Sequence, residues 1–102
     1  MRSLEQHWLV RFDIQEAYRW YERQQSGLGR RFNRELRKLL KRLPSEPLLY
    51  SVRFADIRRV NVSDFPYGVF YFVSERSVVV LGVLHGARDT QAELEQRRKG
   101  CD

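Results

Sequence analysis

Apolar and polar positions divide the second half of the chain into three strand-like runs: Ile57–Ser63, Phe65–Ser74 and Ser77–His85. Val, Ile, Phe and Tyr at this density fit a pleated, half-buried surface better than a helix. The polar breaks, Ser63-Asp64 and Glu75-Arg76, are too short for crossover connections, so the runs form an antiparallel meander. A tight turn at Glu75-Arg76 sets Val73 opposite Val78, Phe72 opposite Val79, Tyr71 opposite Val80, Phe70 opposite Leu81 and Gly68 opposite Val83. Alternation then gathers Tyr67, Val69, Tyr71, Val73, Val78, Val80 and Leu84 on one face, joined by Val60 and Val62. This is the expected core face. The other face carries Arg59, Asn61, Gly68, Phe70, Phe72, Val79, Leu81, Val83 and His85, as a second buried layer or a binding surface. A slip of one residue would exchange the two sets.

The first half follows a helical period. Val10, Ile14, Ala17 and Tyr21 make one stripe, with Tyr18 and Trp20 beside it. The glycines of Gln24–Gly29 (QQSGLG) stop that helix. Phe32, Leu36, Leu39, Leu40 and Leu43 form a second stripe, ended by Pro44 and Pro47. Two amphipathic helices with a short connection make an αα-hairpin, which must bury its stripes, and the apolar sheet face is the surface available. Leu48–Phe54 leads into the sheet and can add a short strand, while Met1–His7 reads equally as an edge strand or a helical turn. Gln91–Lys99 reads as a polar tail helix, weakly anchored because Ala92 and Leu94 are its only apolar residues. The expected class is α+β: an N-terminal αα-hairpin (about 8–43) on one face of an antiparallel sheet of three or four strands (about 48–88), then a tail (89–102) with a short C-terminal helix, all in one domain spanning 1–102.

Composition narrows the setting. The 102 residues are 31% charged and 42% hydrophobic, a globular balance. A net charge of +6 and a pI near 10.0 make an anionic partner plausible, although charge alone identifies no ligand. The single cysteine, Cys101, excludes an internal disulfide framework and suits a reducing cytoplasm. The longest apolar run, Val78–Leu84, is too short to span a membrane, and no signal peptide is apparent.

Three segments in this order, AYRWYERQQSGLGRRF (Ala17–Phe32), IRRVNVSDFPYGVFY (Ile57–Tyr71) and VVLGVLHGARD (Val79–Asp89), resemble the RelE/ParE toxin superfamily of type II toxin–antitoxin systems, closer to its ParE-like, plasmid-stabilisation branch. The resemblance runs from about Asp13 to Asp89. It departs at the start, where Trp8–Phe12 stands in place of the family's opening strand and Pro-x-Ala segment. The resemblance implies a small basic toxin, active in the cytoplasm and neutralised by a small acidic antitoxin whose extended or helical tail wraps it. ParE-like members block DNA gyrase; RelE-like members cut ribosome-bound mRNA by attack of the 2′-hydroxyl, without a metal. In the cleavage case the resemblance points to Arg59, His85 and Arg88, with Arg58, Arg53 and Tyr71 as lesser candidates. The tail after Arg88 lacks the C-terminal catalytic tyrosine of RelE-like nucleases, which tilts the reading toward gyrase and away from an enzyme. A degenerate member that binds an antitoxin and poisons nothing is the third alternative.

Each candidate has a structural alternative. His85 can act as a general acid–base group near neutral pH, or simply hydrogen-bond a sheet edge. Arg59, with Gly68 beside it as a dent for a phosphate or carboxylate, could equally pair with Asp56, Asp64 or a helix carboxylate. The basic second helix can track nucleic acid or present a solvated face. Trp8, Trp20 and Tyr21 read as core or helix-packing groups. Phe70, Phe72, Val79, Leu81 and Val83 are the expected antitoxin-binding residues, because an exposed apolar patch is a liability in a free monomer. No metal-ligand spacing, nucleotide-binding loop or nucleophile constellation is present, and no cofactor is expected.

Overall fold

The computed structural model describes residues 2–101, so the two ends of the expected 1–102 domain lie outside the described residues. The chain runs β1 (Ser3–Gln6), α1 (Val10–Gln24), α2 (Leu28–Arg42), a 3-10 turn at Leu43–Ser45, β2 (Val52–Phe54), β3 (Ile57–Asn61), β4 (Tyr67–Val73), β5 (Ser77–His85) and α3 (Gln91–Lys99). The strands form one sheet in the order β1-β5-β4-β3-β2, with β1 parallel to β5 and the other pairs antiparallel. The sheet is therefore five-stranded and mixed, not three- or four-stranded and wholly antiparallel. The extra strand is the edge-strand alternative left open for the opening segment, and the sequence could not choose it over a helical turn because all four of its residues are exposed, with no inward side chain to mark it. It is held by backbone pairing to the first half of β5 and precedes Trp8–Phe12, so that segment does not stand in place of an opening strand but leads into α1.

The helical hairpin forms as its stripes dictate. Val10, Ala17 and Tyr21 of α1 and Phe32, Leu36 and Leu39 of α2 are buried, and with Leu43 they pack on Val60, Val62, Val69, Tyr71, Val78, Val80 and Val83. The corner between the helices explains the WYE and GLG segments. Gly27 adopts φ +89°, a left-handed turn suited to glycine. The Glu22 carboxylate accepts the N–H groups of Gly27 (3.2 Å), Gly29 (2.8 Å) and Arg30 (3.4 Å), capping α2 from the preceding helix. The Gly27 hydrogen bond leads the effects that hold Glu22 below its usual pKa. Gly29 lets the helices touch: a Cβ there would stand 2.6 Å from the Tyr18 carbonyl oxygen and from Glu22 Cγ.

One irregularity revises the facing of β5. Val73, Phe72 and Tyr71 pair with Val78, Val79 and Val80 as expected, but Phe70 pairs with Gly82 and Gly68 with Leu84. Leu81 is the extra residue of a β-bulge. Beyond it the faces exchange, so Val83 joins the hairpin-side core, Leu84 the opposite cluster, and His85 stands across from Tyr67.

The opposite face is covered. Ile57, Phe70, Phe72, Leu81 and Leu84 are buried with Leu94 of α3. The tail helix is thus docked, contrary to its weak apolar signal, and Ala92 is not part of the anchor. Arg98 lies with its guanidinium 3.7 Å from the Phe72 ring centre and pairs with Asp56 at 2.9 Å. The side chain of Arg97, only 6% exposed, forms an ion pair with Asp13 of α1 at 2.7 Å.

Candidate functional site

A groove opens at the end of the sheet where the β3–β4 turn meets the exit from β5, lined by Arg59, Asn61, Pro66, His85, Gly86 and Ala87 among others. Its floor follows from two glycines. A Cβ on Gly68 would meet Arg59 Nε at 2.5 Å, and one on Gly86 would meet an Arg59 terminal nitrogen at 2.8 Å. The dent expected beside Arg59 is therefore filled by Arg59 itself. Its Nε donates to Asn61 Oδ1 at 2.9 Å, and its guanidinium lies 5.3 Å from the Phe70 ring centre. The Gly86 N–H donates to the Pro66 carbonyl at 2.8 Å and fixes the rim.

None of the carboxylates considered for Arg59 reaches it. Asp56 is held by Arg98 and Asp64 by Arg31 at 3.0 Å. Among the described residues Arg59 has no ion-pair partner. Burial pulls its pKa down, and the neighbouring Arg53 adds to that effect.

The three residues tied to cleavage separate. His85 shares the groove with Arg59 but not its sheet face, because the bulge turns it toward Tyr67, with ring centres 5.3 Å apart. Its Nδ1 accepts the Ala87 N–H at 3.0 Å, so the neutral ring carries its proton on Nε2. Arg88 is drawn to α3, where it pairs with Glu93 at 2.8 Å. Of the lesser candidates, Arg58 donates to the Tyr50 carbonyl at 2.6 Å. The Tyr71 hydroxyl donates to the Pro47 carbonyl at 2.7 Å, with the side chain fully buried. Burial pushes the Tyr71 phenol up to about 12. Arg53 alone joins Arg59, along a second shallow depression with Ser51 and Asn61.

The apolar patch expected to await an antitoxin is not exposed. Phe70, Phe72 and Leu81 lie under α3 and Arg59, Val79 is half-buried in the same cluster, and Val83 belongs to the hairpin-side core. The exposed apolar surface lies elsewhere. Trp8 and Trp20 are 69% and 48% exposed rather than core groups, although Tyr21 is buried as expected. Leu48, Leu49 and Val52 are 59%, 68% and 45% exposed beside the edge strand β2. The signal for the last three was in the sequence: an apolar run leading into a strand of only three residues. No cluster of three possible metal ligands occurs among the described residues, and no described helix is long and apolar enough to cross a membrane.

The family described as "ParE toxin of type II toxin-antitoxin system, parDE" matches residues 4–90. Toxin ParE2 of Mycobacterium tuberculosis, from two strains, is 27% identical over 92 residues, covering 89% of this chain and 88% of the relative. A chain from the chromosomal ParDE TA system of P. aeruginosa superposes with a TM-score of 0.75 at 13% identity, covering 83% of this chain and 96% of that one; at this identity the likeness speaks for the fold.

Proposed function

The chain belongs to the ParE toxin family of type II toxin–antitoxin systems, and from that premise we propose that it arrests growth by binding DNA gyrase, without chemistry of its own, until a cognate antitoxin sequesters it. The family match over residues 4–90 carries this reading. The complex named for the P. aeruginosa neighbour supports an antitoxin partner, and a net charge of +6 suits an acidic one. The groove adds support: Arg88, which cleavage would need beside Arg59 and His85, is paired instead with Glu93 at 2.8 Å. Purified protein should abolish gyrase supercoiling in a dose-dependent way, with inhibition relieved by antitoxin. Supercoiling untouched at high molar excess would overturn the reading.

A second reading, ribosome-dependent mRNA cleavage, draws on the meeting of Arg59 and His85 in one groove. Arg59 would face the scissile phosphate, His85 would exchange a proton with the 2′-hydroxyl, and Arg88 would have to leave Glu93 to join them. Primer extension on translated mRNA after induction would then show discrete cuts. Unaffected growth on induction without antitoxin would favour a degenerate, antitoxin-binding member. An antitoxin that engaged Phe70, Phe72, Val79 and Leu81 would have to lift α3, so the folded toxin offers it other ground.

A further inference from the structure

Arg59 is set apart from the other buried and half-buried arginines. Arg97 and Arg98 are matched to carboxylates and Arg58 to a backbone carbonyl. Arg59 is held on three sides, by Gly68, Gly86 and Asn61, and receives no negative charge from the described residues. Arg53 stands close enough to depress its pKa and likewise has no carboxylate among the described residues. Ser51 and Asn61 complete the same depression. Asn61 spends its oxygen on Arg59 Nε, which leaves its amide N–H groups as donors. The result is a fixed, forked cation with a second cation and two neutral donors beside it, the donor set that recognises an oxyanion.

The depression lies against β2, the last strand of the sheet, whose outer side faces no other strand among the described residues. An unpaired strand edge can be completed by an extended polypeptide and not by a nucleic acid. Leu48, Leu49 and Val52 are exposed along the same stretch and ask for apolar side chains rather than a sugar–phosphate chain. The cations of α2 that could track a nucleic acid belong to the hairpin, on the opposite face of the sheet.

We infer that Arg53 and Arg59, with Ser51 and Asn61, form a receptor for a carboxylate side chain on an extended, acidic antitoxin segment laid along the open edge of β2. This rests on the toxin–antitoxin reading for the identity of the partner, while the site itself rests on the geometry. The segment alternates acidic and apolar residues, the acidic ones reaching the arginines and the apolar ones covering Leu48, Leu49 and Val52.

The probe is a hexapeptide alternating glutamate and valine, titrated into the full-length, isotope-labelled protein and followed by NMR of the arginine Nε–H and asparagine side-chain signals. The Arg59 and Asn61 signals shift, and the same peptide with glutamine for glutamate leaves them in place. Arg53→Gln, an exposed change, weakens binding about five-fold or more, and Arg59→Lys weakens it too, because it keeps the charge and loses the fork. Arg34→Gln on α2 leaves binding unchanged. Unmoved Arg59 and Asn61 signals overturn the inference, as does equal weakening by Arg34→Gln. So does a thymidine oligonucleotide of matched charge binding about tenfold tighter than the peptide, which would assign the cations to phosphate. Loss of the peptide site with gyrase inhibition intact removes this inference alone; a working peptide site with gyrase untouched removes the target assignment alone.

Discussion

Replacing Arg97 by methionine tests what holds α3 to the rest of the molecule. Among the described residues β1 pairs with Ser77–Val80 alone, so the second half of β5 has no described strand on its outer edge. Two side chains substitute for one. Asp13 of α1 accepts the Val83 N–H at 3.1 Å, and Arg97 of α3 donates to the Leu81 carbonyl at 2.9 Å. The two side chains clasp each other through contacts of 2.7 and 3.2 Å, and Arg97 also reaches Glu93 at 2.8 Å. Burial alone would lower the Arg97 pKa, but Asp13 and Glu93 outweigh it and raise the value. Methionine keeps most of the apolar stem and leaves the Asp13 carboxylate, 9% exposed, with a single backbone donor. Breaking a buried pair from one side costs about 3–5 kcal/mol. Asp13 keeps the Val83 N–H, Glu93 is partly hydrated, and Arg97 Nε has no partner among the described residues, so the low end applies. A loss of about 3 kcal/mol lowers the melting temperature by about 12–24 °C in a domain of this size. Pairing the change with Asp13→Asn, which removes the stranded charge and keeps an acceptor for Val83, should recover about half of it. Urea unfolding of both single variants and the double variant closes the cycle. If Arg97→Met cost under about 1 kcal/mol, or if the two changes simply added, the clamp would not be what fastens the tail helix.

Three further outcomes follow from the same geometry. The Tyr71 pKa is raised in the folded state, so its contribution is full below about pH 10 and drains away as the pH climbs toward 12, by up to about 2.7 kcal/mol; Tyr71→Phe should shrink that alkaline loss of urea stability, and an identical limb would refute the assignment. Gly29→Ala decides between propensity and packing: helix propensity alone favours alanine by about 1 kcal/mol, whereas the contact with the Tyr18 carbonyl predicts a net loss of about 1–3 kcal/mol, read as a lower thermal midpoint. Ala55 closes the β2–β3 turn at φ +52°, so Ala55→Gly should stabilise by about 0.5–1 kcal/mol once the looser unfolded chain is counted, and a destabilised variant would contradict the strain.

What the sequence determined by itself was everything encoded within a few neighbouring residues. The stripe through Val10, Ala17 and Tyr21, the stripe from Phe32 to Leu43, the glycine stop between them and the meander from Ile57 to His85 are periodicities and turn signals, and each forms where the pattern puts it. The WYE, GLG, IRR and FPY segments that carry the family likeness are legible for the same reason, since Glu22, Gly27, Gly29, Ile57, Phe65 and Gly68 serve local geometry. Tertiary structure decided the rest. The bulge at Leu81 is one residue in a uniform apolar run, hinted at only by Gly82, yet it exchanges the faces of Val83 and Leu84 and turns His85 away from Arg59. The parallel strand β1 has no inward side chain to announce it. The tail helix is fastened by an arginine whose counter-charge lies 84 residues upstream, a complementarity no local window contains. The same holds for Arg59: its glycine seat comes from two separate strand ends, and the acids considered for it, Asp64 and Asp56, pair with Arg31 and Arg98 instead. Periodicity reports which side of an element is buried; which charges meet across that burial is fixed only when distant segments close on one another.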